Sequence, residues 1–140
     1  MIRGFACGVF DLFHAGHVLM LEECKQQCDY LFVALNIAEN IDIKINPSKK
    51  PPLYSFKDRK LILESCKFVD EVAGYNSEDG LIEIMKNGNF NVRFLGDDYI
   101  GQPITSEEAI PNIIYIDRSH GKSTSRIKKD IKGFKHYNQK

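Results

Sequence analysis

Ten residues near the start of the chain are dense in reactive side chains: GVFDLFHAGH, Gly8 to His17. His14 and His17 stand three apart, with Gly16 between them and Asp11 three residues upstream. The chain has only four histidines, so two in one turn ask for an explanation. Three chemistries suit these types: a hydrogen-bonded core pair, a metal pair, or a clamp on phosphate. On a helix that starts at about Gly16, side chains three apart face the same way. A helix start also presents free N–H groups and roughly half a positive charge, which suits an anion. Gly16, without a side chain, lets a phosphate come close to the backbone. Asp11 would orient one histidine or help hold a metal ion. Zinc needs three or four ligands, and no third His or Cys is near in sequence, so zinc is the weaker option. The turn favours the phosphate clamp.

A second polar stretch, RSHGKSTS, runs from Arg118 to Ser125. It brings Arg118, Lys122 and the hydroxyls of Ser123, Thr124 and Ser125 to the start of another predicted helix. Alone, Ser-Thr-Ser is a good helix cap. With the first stretch, it suggests a polyphosphate held between two helix N-termini.

These stretches need a frame. IRGFACGVF reads as a buried first strand and DYLFVALN as a second. Continuous apolar runs of this kind fit a parallel sheet covered on both faces. HVLMLEECKQQC has helical periodicity, with Val18, Leu21, Cys24 or Lys25, and Cys28 on one face. IAENIDIKINPSKKPPLYSF reads as a long loop, a candidate lid. KDRKLILESCKF is a second helix and VDEVAGY a third strand. SEDGLIEIMKNG is a third helix closed by a C-terminal glycine. FNVRFLG and NIIYID are the last two strands, and STSRIKKDIKGF a final helix. Strands alternating with helices predict a three-layer α/β domain with a mostly parallel, five-stranded sheet. One domain spans 1–134, followed by a loose tail, 135–140. In such sheets, ligands bind beyond the carboxyl ends of the strands.

Lys plus Arg equals Asp plus Glu at 19 each, so the formal net charge is zero and no basic excess marks a nucleic-acid binder. No apolar run reaches the roughly 20 residues that span a bilayer, so no membrane partner is expected. The N-terminus runs straight into Asp11 and the histidines, unlike a signal peptide, and a cytoplasmic location is the default expectation. The four cysteines, Cys7, Cys24, Cys28 and Cys66, lack paired metal-binding spacing and read as free, mostly buried thiols.

The first stretch resembles the G-x-F-D-x-x-H-x-G-H signature of the cytidylyltransferase-like nucleotidyltransferases, and RSHGKSTS resembles their second signature. RKLILES, VDEV and GDD with an aromatic after it are similar to the small glycerol-3-phosphate cytidylyltransferases. The resemblance covers residues 4 to about 133. It implies a Rossmann-like domain of the HxGH type that transfers CMP from CTP to a small phosphorylated polyol or sugar and releases pyrophosphate. It further implies that His14, His17, Lys44 and Arg118 act on the phosphates. Gly8, Val9, Phe10, Asp11, Gly16, Asp97, Ser123, Thr124 and Ser125 would contact the nucleotide. Arg59, Lys67 and Tyr99 would contact the acceptor. Mg²⁺ is the implied cofactor, with Asp11 its candidate protein ligand, and a homodimer is the implied assembly.

The pattern is broken at Asn46 and Lys67, where the family has lysine and arginine, and at Ser119 and His120 in the second signature. Lys49 or Lys50 would replace the missing lysine. Tyr99 replaces a tryptophan, and Ala38-Glu39 a Thr-Asp pair. These changes spare the histidines, so they bear on the acceptor more than on the reaction. Three alternatives stay open: an adenylyltransferase using ATP, a nucleotide-binding regulatory module without turnover, and a structural subunit.

Overall fold

The computed structural model describes residues 1–38, 51–117 and 127–132. Five strands form one parallel sheet: β1 (Arg3–Gly8), β2 (Tyr30–Asn36), β3 (Glu71–Tyr75), β4 (Val92–Gly96) and β5 (Ile113–Ile116). Their order is β3-β2-β1-β4-β5. Three helices connect them: α1 (Ala15–Gln26), α2 (Phe56–Glu64) and α3 (Glu78–Asn87). Residues 127–132 are also helical.

The alternation of strand side chains divides the core into two layers. Ala6, Leu31, Val33 and Leu35 pack with Leu21 and Cys24 of α1 and Leu63 of α2. Phe5, Phe32 and Ala34 point the other way, onto Leu81 and Met85 of α3. The five residues from Leu31 to Leu35 are all buried, as expected of a strand covered on both faces.

The chain adds β2 and β3 on one side of β1, then crosses to the other side for β4. The order therefore reverses between β1 and β4, where open α/β sheets bind ligands. The register shows how a crevice opens there. β1 pairs with β2 through six positions, from Arg3↔Tyr30 to Gly8↔Leu35. It pairs with β4 only at Gly4↔Val92 and Phe5↔Arg93. Beyond Phe5 the two strands part, and their carboxyl ends leave a gap.

Element limits depart from the sequence reading where caps intervene. The second helix was expected to run to Phe68 but ends at Glu64, because the Ser65 hydroxyl donates to the Leu61 carbonyl at 2.8 Å. The Cys66 amide then bonds Leu63, a tighter turn that closes the helix. Gly88 does cap α3, but at φ −87°; the left-handed residue is Asn89, at φ 54°. Gly88 is required for space instead, since a Cβ there would lie 2.2 Å from the Phe90 ring. All four cysteines are free, and burial pushes the Cys24 thiol far above its ordinary range. The loop core 39–50, the start of the final helix and the tail 135–140 lie outside the described residues.

Gly4 is the tightest point of the central strand: a Cβ would stand 2.6 Å from the Phe94 ring and 2.9 Å from Cys28 Sγ. Gly4→Ala should overpack this junction and cost about 1–3 kcal/mol. A lowered urea midpoint with an unchanged slope is the expected result.

Candidate functional site

The turn from β1 into α1 is built by its own side chains. His14 is the N-cap residue, and its Nδ1 accepts from the Gly16 amide at 3.0 Å. His17 reaches back, and its Nδ1 accepts from the His14 amide at 3.2 Å. The two imidazoles thus play the parts that serine and glutamate play in a capping box. The chemical consequence lies in the tautomer. With Nδ1 accepting, a neutral ring carries its proton on Nε2, so each histidine keeps an N–H donor at its outer end. The rings stack with centroids 3.8 Å apart, and Phe10 and Phe13 each lie 5.3 Å from the His17 ring. No acidic residue stands in the first turn of α1, whereas α2 carries Asp58 there and α3 carries Glu78 and Asp79. Of these three helices, α1 alone has no acidic side chain in its first turn to offset its positive end.

Asp11 is 6% exposed. Its Oδ2 accepts from the Leu53 amide at 2.8 Å and its Oδ1 from the Tyr54 amide at 3.0 Å. Lys128 Nζ stands 3.6 Å from Oδ2. Burial alone would raise this carboxyl's pKa, but the two amides, Lys128 and the Leu12 amide together hold it below the ordinary value. Phe10 and Leu12 on either side have φ of 51° and 48°, a conformation that costs side-chain-bearing residues about 1–3 kcal/mol each. The bonds to Asp11 help offset that strain.

Arg59, at the head of α2, was expected to contact an acceptor, but its guanidinium is 1% exposed. Nε donates to the Tyr54 carbonyl at 3.0 Å. Nη1 donates to Val9 at 3.0 Å and Asn36 at 2.6 Å, and Nη2 to Ile37 at 2.6 Å. It ties the carboxyl ends of β1 and β2 to the segment before α2. Lys67 was also expected at the acceptor. It lies between the end of α2 and the start of β3, at the amino edge of the sheet, opposite the crevice, with its ammonium 5.1 Å from the Phe68 ring.

The gap between β1 and β4 holds a cleft of about 320 Å³. Gly8, Val9 and Phe10 form one wall, Gly96 and Tyr99 another, and Pro103–Thr105 close it. Asp97 follows Gly96 in a single 3₁₀ turn, Asp97–Tyr99. A second hollow of about 290 Å³ lies beyond the turn, between Asp11, Pro51, Pro52 and Lys128. His17 lines both. The structure thus brings His14, His17, Gly8, Val9, Phe10, Asp11, Gly16 and Tyr99 to one edge, with Asp97 beside them. Lys44, Arg118, Ser123, Thr124 and Ser125 lie outside the described residues, as do Asn46, Lys49, Lys50, Ser119 and His120.

Sequence reasoning overlooked Arg93. It is 3% exposed on β4, and its Nη1 holds the Thr105 carbonyl at 2.7 Å, fixing the cleft wall. Its Nε has no hydrogen-bond partner among the described residues. Burial pushes the neighbouring Cys7 thiol up, and Arg93 partly opposes this. A lone charge inside the apolar run NVRFLG was the available signal.

The described residues contain no group of three or more His, Cys, Asp or Glu able to hold a metal ion. Asp11 accepts an amide hydrogen bond on each oxygen and stands beside the Lys128 ammonium. The described residues by themselves do not make a protein-built site for a divalent ion.

The chain matches the cytidylyltransferase-like family over residues 5–129. It is 36% identical over 127 residues to a glycerol-3-phosphate cytidylyltransferase of Bacillus subtilis (strain 168), covering 90% of this chain and 94% of that protein. The corresponding Staphylococcus aureus (strain NCTC 8325 / PS 47) protein is 32% identical over 136 residues, covering 95% and 97%. A lipopolysaccharide core biosynthesis protein from Thermoplasma volcanium GSS1 superposes with a TM-score of 0.62 at 24% identity, over 84% of this chain and 95% of that one. That last likeness is one of fold.

The pKa of Asp11 sets a pH test. A carboxyl held below its ordinary value stabilises the fold fully above about pH 5, and the contribution is lost as pH falls through and below about 3.9. Asp11→Asn should be less stable than wild type at pH 7 by about 1–3 kcal/mol. Urea midpoints should show this gap closing toward pH 3; a gap constant with pH would assign the carboxylate charge no part.

Proposed function

This chain belongs to the cytidylyltransferase-like family, and from its cleft we propose that it transfers a cytidylyl group from CTP to a small phosphorylated polyol or sugar. One observation carries the reading: His17 stands in the wall shared by two hollows, with its Nδ1 held by the His14 amide and its ring fixed in the turn. The reaction needs that arrangement. An oxygen of the acceptor's phosphate forms a bond to the α-phosphorus, and the bond from that phosphorus to the departing pyrophosphate breaks. Two substrates therefore meet from opposite sides, and negative charge spreads over the oxygens between them.

His14 and His17 offer Nε2–H donors to that charge, and the start of α1 adds its own positive end. Preorganisation comes from the capping hydrogen bonds and the flanking rings, so little rearrangement is needed on the way to the transition state. No group of the protein becomes covalently attached; positioning and electrostatics supply the catalysis. By family resemblance, Lys44, Arg118 and the hydroxyls of Ser123, Thr124 and Ser125 add further phosphate contacts. Magnesium, on this reading, arrives with the triphosphate and is held by phosphate oxygens. The names of the two full-length relatives support CTP as the donor and glycerol 3-phosphate as the first acceptor to try.

The test is pyrophosphate release with magnesium, each of the four ribonucleoside triphosphates, and a panel of phosphate monoesters including glycerol 3-phosphate. Release with CTP and one acceptor is expected. Release with ATP alone would overturn the choice of nucleotide, and nucleotide binding without release across the panel would overturn the transfer itself. His17→Ala should lower kcat roughly 10²- to 10³-fold, the usual cost of one preorganised donor.

A further inference from the structure

We propose that the hollow beside Lys128 is the acceptor's phosphate site and that Lys128 is its ligand. This rests on the transferase reading and assigns that reading's second substrate to a place. The two hollows that share His17 differ in charge. Among the described residues, the cleft between β1 and β4 is lined by no lysine or arginine. The second hollow has Lys128 in its wall, facing Asp11, Pro51 and Pro52. A phosphate monoester carries close to two negative charges at neutral pH and is bound by cations. At about 290 Å³ the hollow lies at the small end of the range for small-molecule sites, which suits a short polyol phosphate.

The link between Lys128 and Asp11 leaves the ammonium able to bind. At 3.6 Å it is an ion pair but too long for a hydrogen bond, and the lysine side chain is 38% exposed. Asp11 takes its hydrogen bonds from Leu53 and Tyr54 instead. Its charge steers the ammonium to the mouth of the hollow without using its donors. A phosphate bound there would sit between Lys128 and His17, on the side of His17 away from the cleft.

The experiment is steady-state kinetics on the wild type, Lys128→Gln and Lys128→Arg, varying CTP and then the monoester turned over fastest. Lys128→Gln should raise the acceptor KM roughly 10- to 100-fold, as for a lost charged hydrogen bond, and leave the CTP KM within about twofold. Lys128→Arg should recover most of the loss, which separates a lost charge from a damaged fold. A Lys128→Gln effect on the CTP KM alone, or on neither KM, overturns the assignment. Calorimetric titration with inorganic phosphate in saturating CTP reads the same site without turnover. Weaker phosphate binding by Lys128→Gln is expected there, and unchanged binding overturns the assignment. A wild type that releases no pyrophosphate with any acceptor overturns the transferase reading instead, and the calorimetric arm still decides on Lys128.

Discussion

The carboxyl edge of the sheet depends on two buried charges that divide one residue's backbone between them. Tyr54 gives its N–H to Asp11 and its carbonyl to Arg59. Arg59 also takes carbonyls from the ends of β1 and β2, so three separate segments converge on one guanidinium. Strand ends and loop starts expose polar groups that the sheet does not pair, and burying them unpaired would cost about 1–3 kcal/mol each. A guanidinium suits the task because it donates in several in-plane directions and stays charged throughout the accessible pH range. Without this pair, the turn carrying the histidines would lose its support from below.

With that edge held, the strained turn becomes usable. Phe10 and Leu12 adopt left-handed backbone on both sides of Asp11, and the chain then enters α1 through a cap made of two imidazoles. Serine would cap the helix as well, but its one oxygen would keep both the cap and the donor close to the backbone. Histidine has two nitrogens set apart by the ring, and Nδ1 of each satisfies the helix start. The cap and the proposed catalytic groups are the same two side chains. The parting of β1 from β4 then supplies the space in front of them.

The apolar runs made the five strands legible, and the buried stretch Leu31–Leu35 of β2 follows directly from DYLFVALN. The spacing of His14, Gly16 and His17 at a strand-to-helix turn likewise pointed to an anion-binding helix start. Arg59 was singled out for its type and given the wrong surroundings. A charged residue at the head of a helix reads the same whether it faces solvent, a ligand or four carbonyls. Lys67 was placed at the acceptor by family resemblance alone, but α2 stops at Glu64 before reaching it. Once Ser65 and Cys66 close that helix, the following residues lead to the amino edge of the sheet.

The sequence by itself determined the element types, the layered α/β class and the clustering of two histidines at the first strand-to-helix turn. Each of these is written in local spacing and local polarity. Tertiary structure alone decided which charges are buried, which strands part, and that His17 belongs to two hollows at once. Those facts depend on contacts across 40 to 120 residues of chain, such as Arg59 with Val9 and Lys128 with Asp11. Local spacing carries no information about what will pack against a residue from so far away.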